Sequence, residues 1–278
     1  VSICPGTWHV ELTINQAEVS IIGLGDSRDD TILSGAEQGT VISIMGPNAA
    51  ISVENLTVER GSALGSGNYA SGGGMRCRDN VEVTVTNALF TNNHAYDGAA
   101  IYANEQCSLT VSDSEFSHNL TEDDGGCVSF VSNSYGDFSN VTFMDNNARD
   151  GAAFFSYWST VYVTDSVFER NSATTYGGAI WNYYGEVYVE NSSFTDNFAS
   201  TSGGAIMAVG HTEFEDVTFD GNTSNQGGAI YRYTTATVEG DDVTFTDNSP
   251  EDISSQGSAT NFSGTVDFEC NGGSCSED

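Results

Sequence analysis

Short runs in which every second residue is apolar recur along the chain, with Thr, Tyr or Glu between them. Val83 and Val85, Leu109 and Val111, Val161 and Val163, and Val187 and Val189 form such pairs. A period of two is that of a strand with one face buried. Gly, Asn, Ser, Thr and Asp interrupt the runs every few residues and leave strands of only three to five residues, which argues against a helical bundle. Longer-range order lies over this alternation. Seven segments read Phe-x-x-Asn, beginning at Phe90, Phe116, Phe143, Phe168, Phe194, Phe219 and Phe245 and ending at Asn93, Asn119, Asn146, Asn171, Asn197, Asn222 and Asn248. Successive Phe are 26, 27, 25, 26, 25 and 26 residues apart.

Six of these segments are followed by three small residues and an apolar one: Gly-Ala-Ala-Ile at 98–101, Gly-Gly-Cys-Val at 125–128, Gly-Ala-Ala-Phe at 151–154, and Gly-Gly-Ala-Ile at 177–180, 203–206 and 227–230. A degenerate copy runs from Val58 through Gly-Gly-Gly-Met at 72–75. A repeat near 26 residues with short strands fits three strands per turn of a solenoid, each turn burying its apolar side chains only against its neighbours. The sequence therefore predicts an all-β, right-handed, single-stranded parallel β-helix of about ten coils, roughly 48 Å tall at ~4.8 Å per coil. The whole chain reads as one domain: irregular N-terminal coils over 1–57, regular repeats over 58–249 and a C-terminal cap over 250–278.

In such a stack the seven Phe form an internal aromatic column, and the Asn of each motif sits in a tight turn. A second polar column stands three residues before each Phe: Asn87, Asp113, Asn140, Asp165, Asn191, Asp216 and Asp242. Asx side chains suit a turn with positive φ. Like charges about 4 Å apart repel by roughly 1 kcal/mol even in water, so interleaved Asn relieves the column. Only Asp216 and Asp242 break the alternation, which makes them a candidate Ca²⁺ site; acidic clusters at 122–124, at Asp26, Asp29 and Asp30, and at Asp241 and Asp242 offer further hard oxygen ligands. None has EF-hand spacing, and no cofactor is required by any motif.

Charge narrows the partners. With 39 acidic residues, seven Arg and no Lys, the net charge of −32 repels nucleic acid and anionic lipid. No run of about 18 apolar residues is present to enter a membrane, and a chain that opens inside a strand at Val1 without a basic, apolar leader reads as a processed or excised piece. The six cysteines lack a paired CxxC arrangement and are best explained by an oxidising compartment. Cys270 and Cys275 flank a flexible Asn-Gly-Gly-Ser turn that a disulfide could close, Cys77 with Cys107 is a second plausible pair, and Cys127, standing where the repeat has alanine, reads as a buried thiol.

Phe-x-x-Asn followed by Gly-Gly-Ala-Ile resembles the repeat of the chlamydial polymorphic outer membrane proteins, over about 90–248. The resemblance implies a right-handed β-helix displayed on a bacterial cell surface with a role in adhesion. The C-terminal barrel of that family has no counterpart here.

An enzyme reading finds little to stand on. Arg60, Arg76 and Arg78 form the one cluster of basic residues, best explained as neutralising nearby acids, and no nucleophile elbow, P-loop or dinucleotide fingerprint occurs. His94 and His118 flank the Asn of consecutive copies, where they could stack, and read as surface turn residues. The strongest binding feature is aromatic: Tyr102, Phe155 with Tyr157, Trp181 with Tyr183, and Tyr231 with Tyr233 recur just after the small-residue element and line a stripe along one face. Exposed, such a stripe stacks on sugar rings or packs on another subunit. The sequence thus points to a secreted or cell-surface structural or adhesive protein, associating with itself, with other surface proteins or with glycans. An extracellular carbohydrate-binding or polysaccharide-processing protein is the alternative. Asn-x-Ser/Thr motifs occur at Asn55, Asn119, Asn140, Asn191, Asn222 and Asn261.

Overall fold

The computed structural model describes residues 1–15, 17–65, 70–123 and 125–256, and the backbone of strands at 260–263, 270–271 and 275–277. The described strands assemble into three parallel sheets of twenty, eleven and six strands, the last spanning Ser62 to Ala199. One coil illustrates the path. The chain follows Ser108–Ser112, bends at Asp113, continues through Glu115–Ser117 in the same long sheet, turns into Leu120–Thr121 of the six-stranded sheet, and crosses the small-residue element into Val128–Val131 of the eleven-stranded sheet. Register follows the repeat: Val83 pairs with Leu109, Phe90 with Phe116, and Ile101 with Val128. Parallel pairing in register puts like on like, so each repeat position becomes a column parallel to the rod axis.

The apolar columns form the core. Phe90, Phe116, Phe143, Phe168, Phe194 and Phe219 are fully buried, and each stacks on the next at 4.5–5.2 Å with interplanar angles of 4–14°. Phe245 continues the column, 5.1 Å from Phe219. Burying one such ring contributes roughly 2–3 kcal/mol, and offset stacking about 1 more.

The Asn of each motif is not the turn residue expected of it. It points inward, and the left-handed residue is the one before: Asn92, His118, Asp145, Arg170, Asp196 and Asp247, with φ of 51–56°, and Gly221 at 66°. The turn therefore throws the following side chain into the core, where Asn93, Asn119, Asn146, Asn171, Asn197 and Asn222 are buried. Each Nδ2 donates to Oδ1 of the Asn one coil on, at 2.9–3.1 Å, as far as Asn248. The second Nδ2 hydrogen reaches back to a carbonyl of the preceding coil, Val58 for Asn93 and a Phe for the others, as from Asn171 to Phe143 at 3.0 Å. Asn248 ends the ladder on the carboxylate of Asp252 at 2.9 Å. The same displacement separates His94 from His118: His94 pairs with Leu120 and lies 2.7 Å from Glu122, whereas His118 occupies the turn.

The Asx column splits the long sheet into two strands per coil. Asn87, Asp113, Asn140, Asp165, Asn191, Asp216 and Asp242 are exposed and left-handed, with φ of 48–55°. Asn140 donates to Asp113 at 2.7 Å, a neutral amide meeting a carboxylate across the coil gap. At the far side of the coil the first residue of the small-residue element, such as Gly177 with φ +59°, takes a conformation that costs side-chain-bearing residues dearly.

Cys77 and Cys107 are joined by a disulfide, Cys127 is a buried free thiol in the alanine column, and Cys4 is free and exposed. The expected Cys270–Cys275 bridge lies outside the described residues. No described helix is long and apolar enough to cross a membrane.

Candidate binding face

The outward residues of the eleven-stranded sheet carry the aromatic signal. Strands Ile101–Ala103, Val128–Val131, Phe154–Tyr157, Ile180–Tyr183, Ile206–Ala208 and Ile230–Arg232 lie in register, which aligns Tyr102, Ser129, Phe155, Trp181, Met207 and Tyr231 in one column. Two residues further on, Tyr157 and Tyr183 come together at 5.6 Å between ring centroids, and Tyr233 follows two coils later. Phe155 meets Trp181 at 4.9 Å and Trp181 meets Tyr183 at 5.0 Å. Trp181 and Tyr183 pack in a cluster separate from the core.

The stripe is narrower than expected. Phe155 and Tyr231 are buried, at 6% and 4% exposure, Phe155 against the rings of Tyr157 and Trp181 and Tyr231 in an apolar cluster with Met207 and Val209. Met207, Val209 and Tyr231 pack with Tyr176, Trp181 and Tyr183 into one apolar patch. Tyr102 is cut off from the rest by Ser129 and is half-buried. Burial pushes its phenol up to about 12, with Asp97 and Glu105 acting in the same sense. What emerges into solvent is Tyr157, Trp158, Tyr184 and Tyr233, each 38–55% exposed.

Two of these four, Trp158 and Tyr184, escape the alternation argument because they occupy the turn after the strand, at φ +49° and +59°. Left-handed backbone is unusual for a bulky aromatic residue. They stack on each other at 5.4 Å. The sequence signal for them was the doubled aromatic, Tyr157-Trp158 and again Tyr183-Tyr184, one repeat apart. Tyr176, at the end of strand Ser172–Tyr176 in the six-stranded sheet, reaches over to Trp181 at 6.1 Å. The indole N–H of Trp181 is buried with no acceptor, a donor left over on the face.

No outward position of these strands from Phe155 to Tyr231 carries a charge, in a chain with 39 acids. Elsewhere the acids are conspicuous. On the long sheet Tyr162 and Tyr188 stack at 4.8 Å beside a groove of about 200 Å³ that Glu190, Glu213 and Glu215 also line. The acidic clusters considered for Ca²⁺ have local work. Asp30 accepts from the Ser27 N–H at 2.8 Å, Glu122 meets His94, and Asp123 pairs with Arg149. Asp216 and Asp242 lie on the exposed Asx ridge, and among the described residues no three His, Cys, Asp or Glu side chains are disposed to hold a metal. The arginines of the cluster meet local partners: Arg60 pairs with Glu37 at 2.8 Å, Arg78 lies 3.6 Å from Asp79, and Arg76 donates to Ser43 at 3.3 Å.

Three-sheet parallel coils, an internal Asn ladder and an outward aromatic face define a β-helix repeat protein. The chain belongs to the right handed beta helix region family, whose signature spans residues 40–194, and the Chlamydia polymorphic membrane protein repeat matches at 191–209 and 216–231. No curated protein matches the sequence. Among solved structures, rice weevil pectin methyl esterase is similar over 83% of this chain and 74% of its own, at 12% identity and a TM-score of 0.32. That likeness is too slight to bear on substrate or reaction.

Proposed function

We propose that this protein is an extracellular or cell-surface β-helix that serves as an adhesive scaffold, with the aromatic face of the eleven-stranded sheet as its contact surface. The observation that carries the reading is the contrast of that face with the rest of the molecule: an uncharged aromatic patch across several coils of a chain of net charge −32. Exposed aromatic groups supply contact area at low entropic cost and are common anchors of interfaces. The polymorphic membrane protein repeat supports a surface location, and the Cys77–Cys107 disulfide supports an oxidising compartment. The role is non-catalytic, in keeping with arginines drawn to local partners rather than converging on a cleft.

Rings that emerge from a neutral face suit the apolar faces of sugar rings, which approach a −32 molecule at no Coulombic cost; a second copy does not. The test compares wild type with a Trp158→Ala/Tyr184→Ala/Tyr233→Ala variant for retention on immobilised neutral polysaccharide and on isolated cell envelopes, with sedimentation in parallel. Retention should fall at least tenfold in the variant. Equal retention of both proteins, or none of either, sinks the adhesive reading. Dimers or filaments that dissolve in the variant would reassign the face to self-assembly.

A further inference from the structure

Six Asn-x-Ser/Thr motifs are indistinguishable in sequence, and the fold sorts them. Asn119 and Asn222 are fully buried rungs of the ladder, with both amide hydrogens of Asn119 directed to core acceptors including Phe90 O and Asn146 Oδ1. Nothing attached there could fit a closed core. Asn55 is half-buried, and its Nδ2 donates to the carbonyls of Gly23 and Gly25 at 3.0 and 2.9 Å. The side chain of Asn261 lies outside the described residues. Asn140 and Asn191 differ from all of these. Both are exposed at the apex of the bend that splits the long sheet, between Tyr135–Ser139 and Thr142–Met144 and between Glu186–Glu190 and Ser193–Thr195.

At that apex φ is +55° and +48°, so each amide projects from the ridge while Thr142 and Ser193, the hydroxyl residues of the motif, begin the next strand. The amides are lightly held. Asn140 Nδ2 donates to the exposed Asp113 at 2.7 Å and Asn191 Nδ2 to the exposed Glu190 at 3.2 Å, which leaves the second hydrogen of each amide to solvent. Asn87, on the same ridge, lacks the hydroxyl residue two positions on.

We propose that Asn140 and Asn191 are sites of N-linked glycosylation. The reaction joins the amide nitrogen to C1 of a sugar carried on a lipid phosphate: the C–N bond forms, the C1–O bond to phosphate breaks, the lipid phosphate leaves, and the nitrogen gives up one proton. Two coils separate the sites, about 10 Å along the rod at ~4.8 Å per coil. The ridge belongs to the long sheet, so glycans there leave the aromatic face of the eleven-stranded sheet open. The proposal rests on the extracellular reading, because the sugar donor is met on an export route, and the Cys77–Cys107 bond reports that route independently.

The test is the intact mass of the protein from its native host, followed by peptide mapping. Wild type should exceed the mass of the disulfide-bonded chain by two glycan increments. N140Q and T142A should each remove one, N191Q and S193A the other, and N140Q/N191Q both. T142A and S193A keep the turn Asn, so a folding defect in the Asn variants does not obscure the result. A wild-type mass without excess, an excess that survives in N140Q/N191Q, or a glycan mapped to Asn119 or Asn222 overturns the proposal. A single increment overturns the assignment of the unoccupied site. If glycans are absent while Cys77 and Cys107 are joined, the proposal fails and the extracellular reading stands; if the pair is reduced, that reading fails with it.

Discussion

Asp97 shows how one side chain can work against the fold that holds it. It sits at the bend into Gly98, paired with Ser71 of the coil before, and burial raises its pKa from 3.8 to about 6; the nearby Asp123 carboxylate adds to the rise, and Ser71 and Arg149 offset part of it. The native state thus holds this proton more tightly than the unfolded chain. Ionisation costs no stability below about pH 4, an increasing amount between about 4 and 6, and its full amount above, up to about 3 kcal/mol for that shift. Asp97→Asn should therefore raise Tm at pH 7 and leave it unchanged at pH 3.5. A lower Tm at pH 7 would mean that Arg149 needs the charge. Gly136 makes the complementary point about size. It faces Phe130, which stands where adjacent coils have Ala103 and Ser156, and a Cβ at Gly136 would lie 2.6 Å from that ring. The glycine and the phenylalanine are one substitution in two parts, legible in sequence only once the columns are aligned.

Between elements, the Asn ladder joins coils more specifically than apolar stacking can. Asn171 accepts from the backbone N–H of Asn146 at 3.3 Å and from its amide at 3.0 Å, and donates to Phe143 and Asn197 at 3.0 Å each. Removing the side chain strands buried partners in both directions, at about 1–3 kcal/mol for each group left unsatisfied. Asn171→Ala should cost about 2–4 kcal/mol in urea unfolding, whereas Asn147→Ala, at the exposed position beside the Asn146 rung, should cost under about 0.5. A loss below 1 kcal/mol at Asn171 would show that the ladder is a consequence of the stacking and adds little to it. The periodicity of Phe-x-x-Asn located this ladder without difficulty, yet its direction was misjudged. Asn is as common in turns as it is rare in cores, and only the left-handed residue before it turns the side chain inward.

At the scale of the rod, charge is the dominant liability. With 39 acids against seven Arg, like charges stacked along the coils repel, and self-repulsion weakens the compact state. Raising NaCl from 0.1 to 1 M, which shortens the screening length from about 10 to about 3 Å, should raise Tm by several degrees. A fall would mean that attractive pairs such as Arg170 with Asp145, 2.9 Å apart, outweigh the repulsion. The uncharged aromatic face stands out against this background, which is why its rings carry the proposed function.

The sequence by itself determined the architecture. A repeat of about 26 residues with alternating apolar positions leaves parallel, in-register stacking as the arrangement that buries the Phe of each Phe-x-x-Asn motif and every paired Val, and that logic needs no knowledge of neighbours beyond one repeat away. Tertiary structure alone decided which of the equivalent positions reach solvent. Phe155 is covered by neighbouring rings and Tyr231 by Met207 and Val209 while Trp158 and Tyr184 stand clear on turns, and Asn119 is sealed where Asn140 is open. Exposure depends on what the coils above and below contribute at each column, and a repeat motif records only that the column exists.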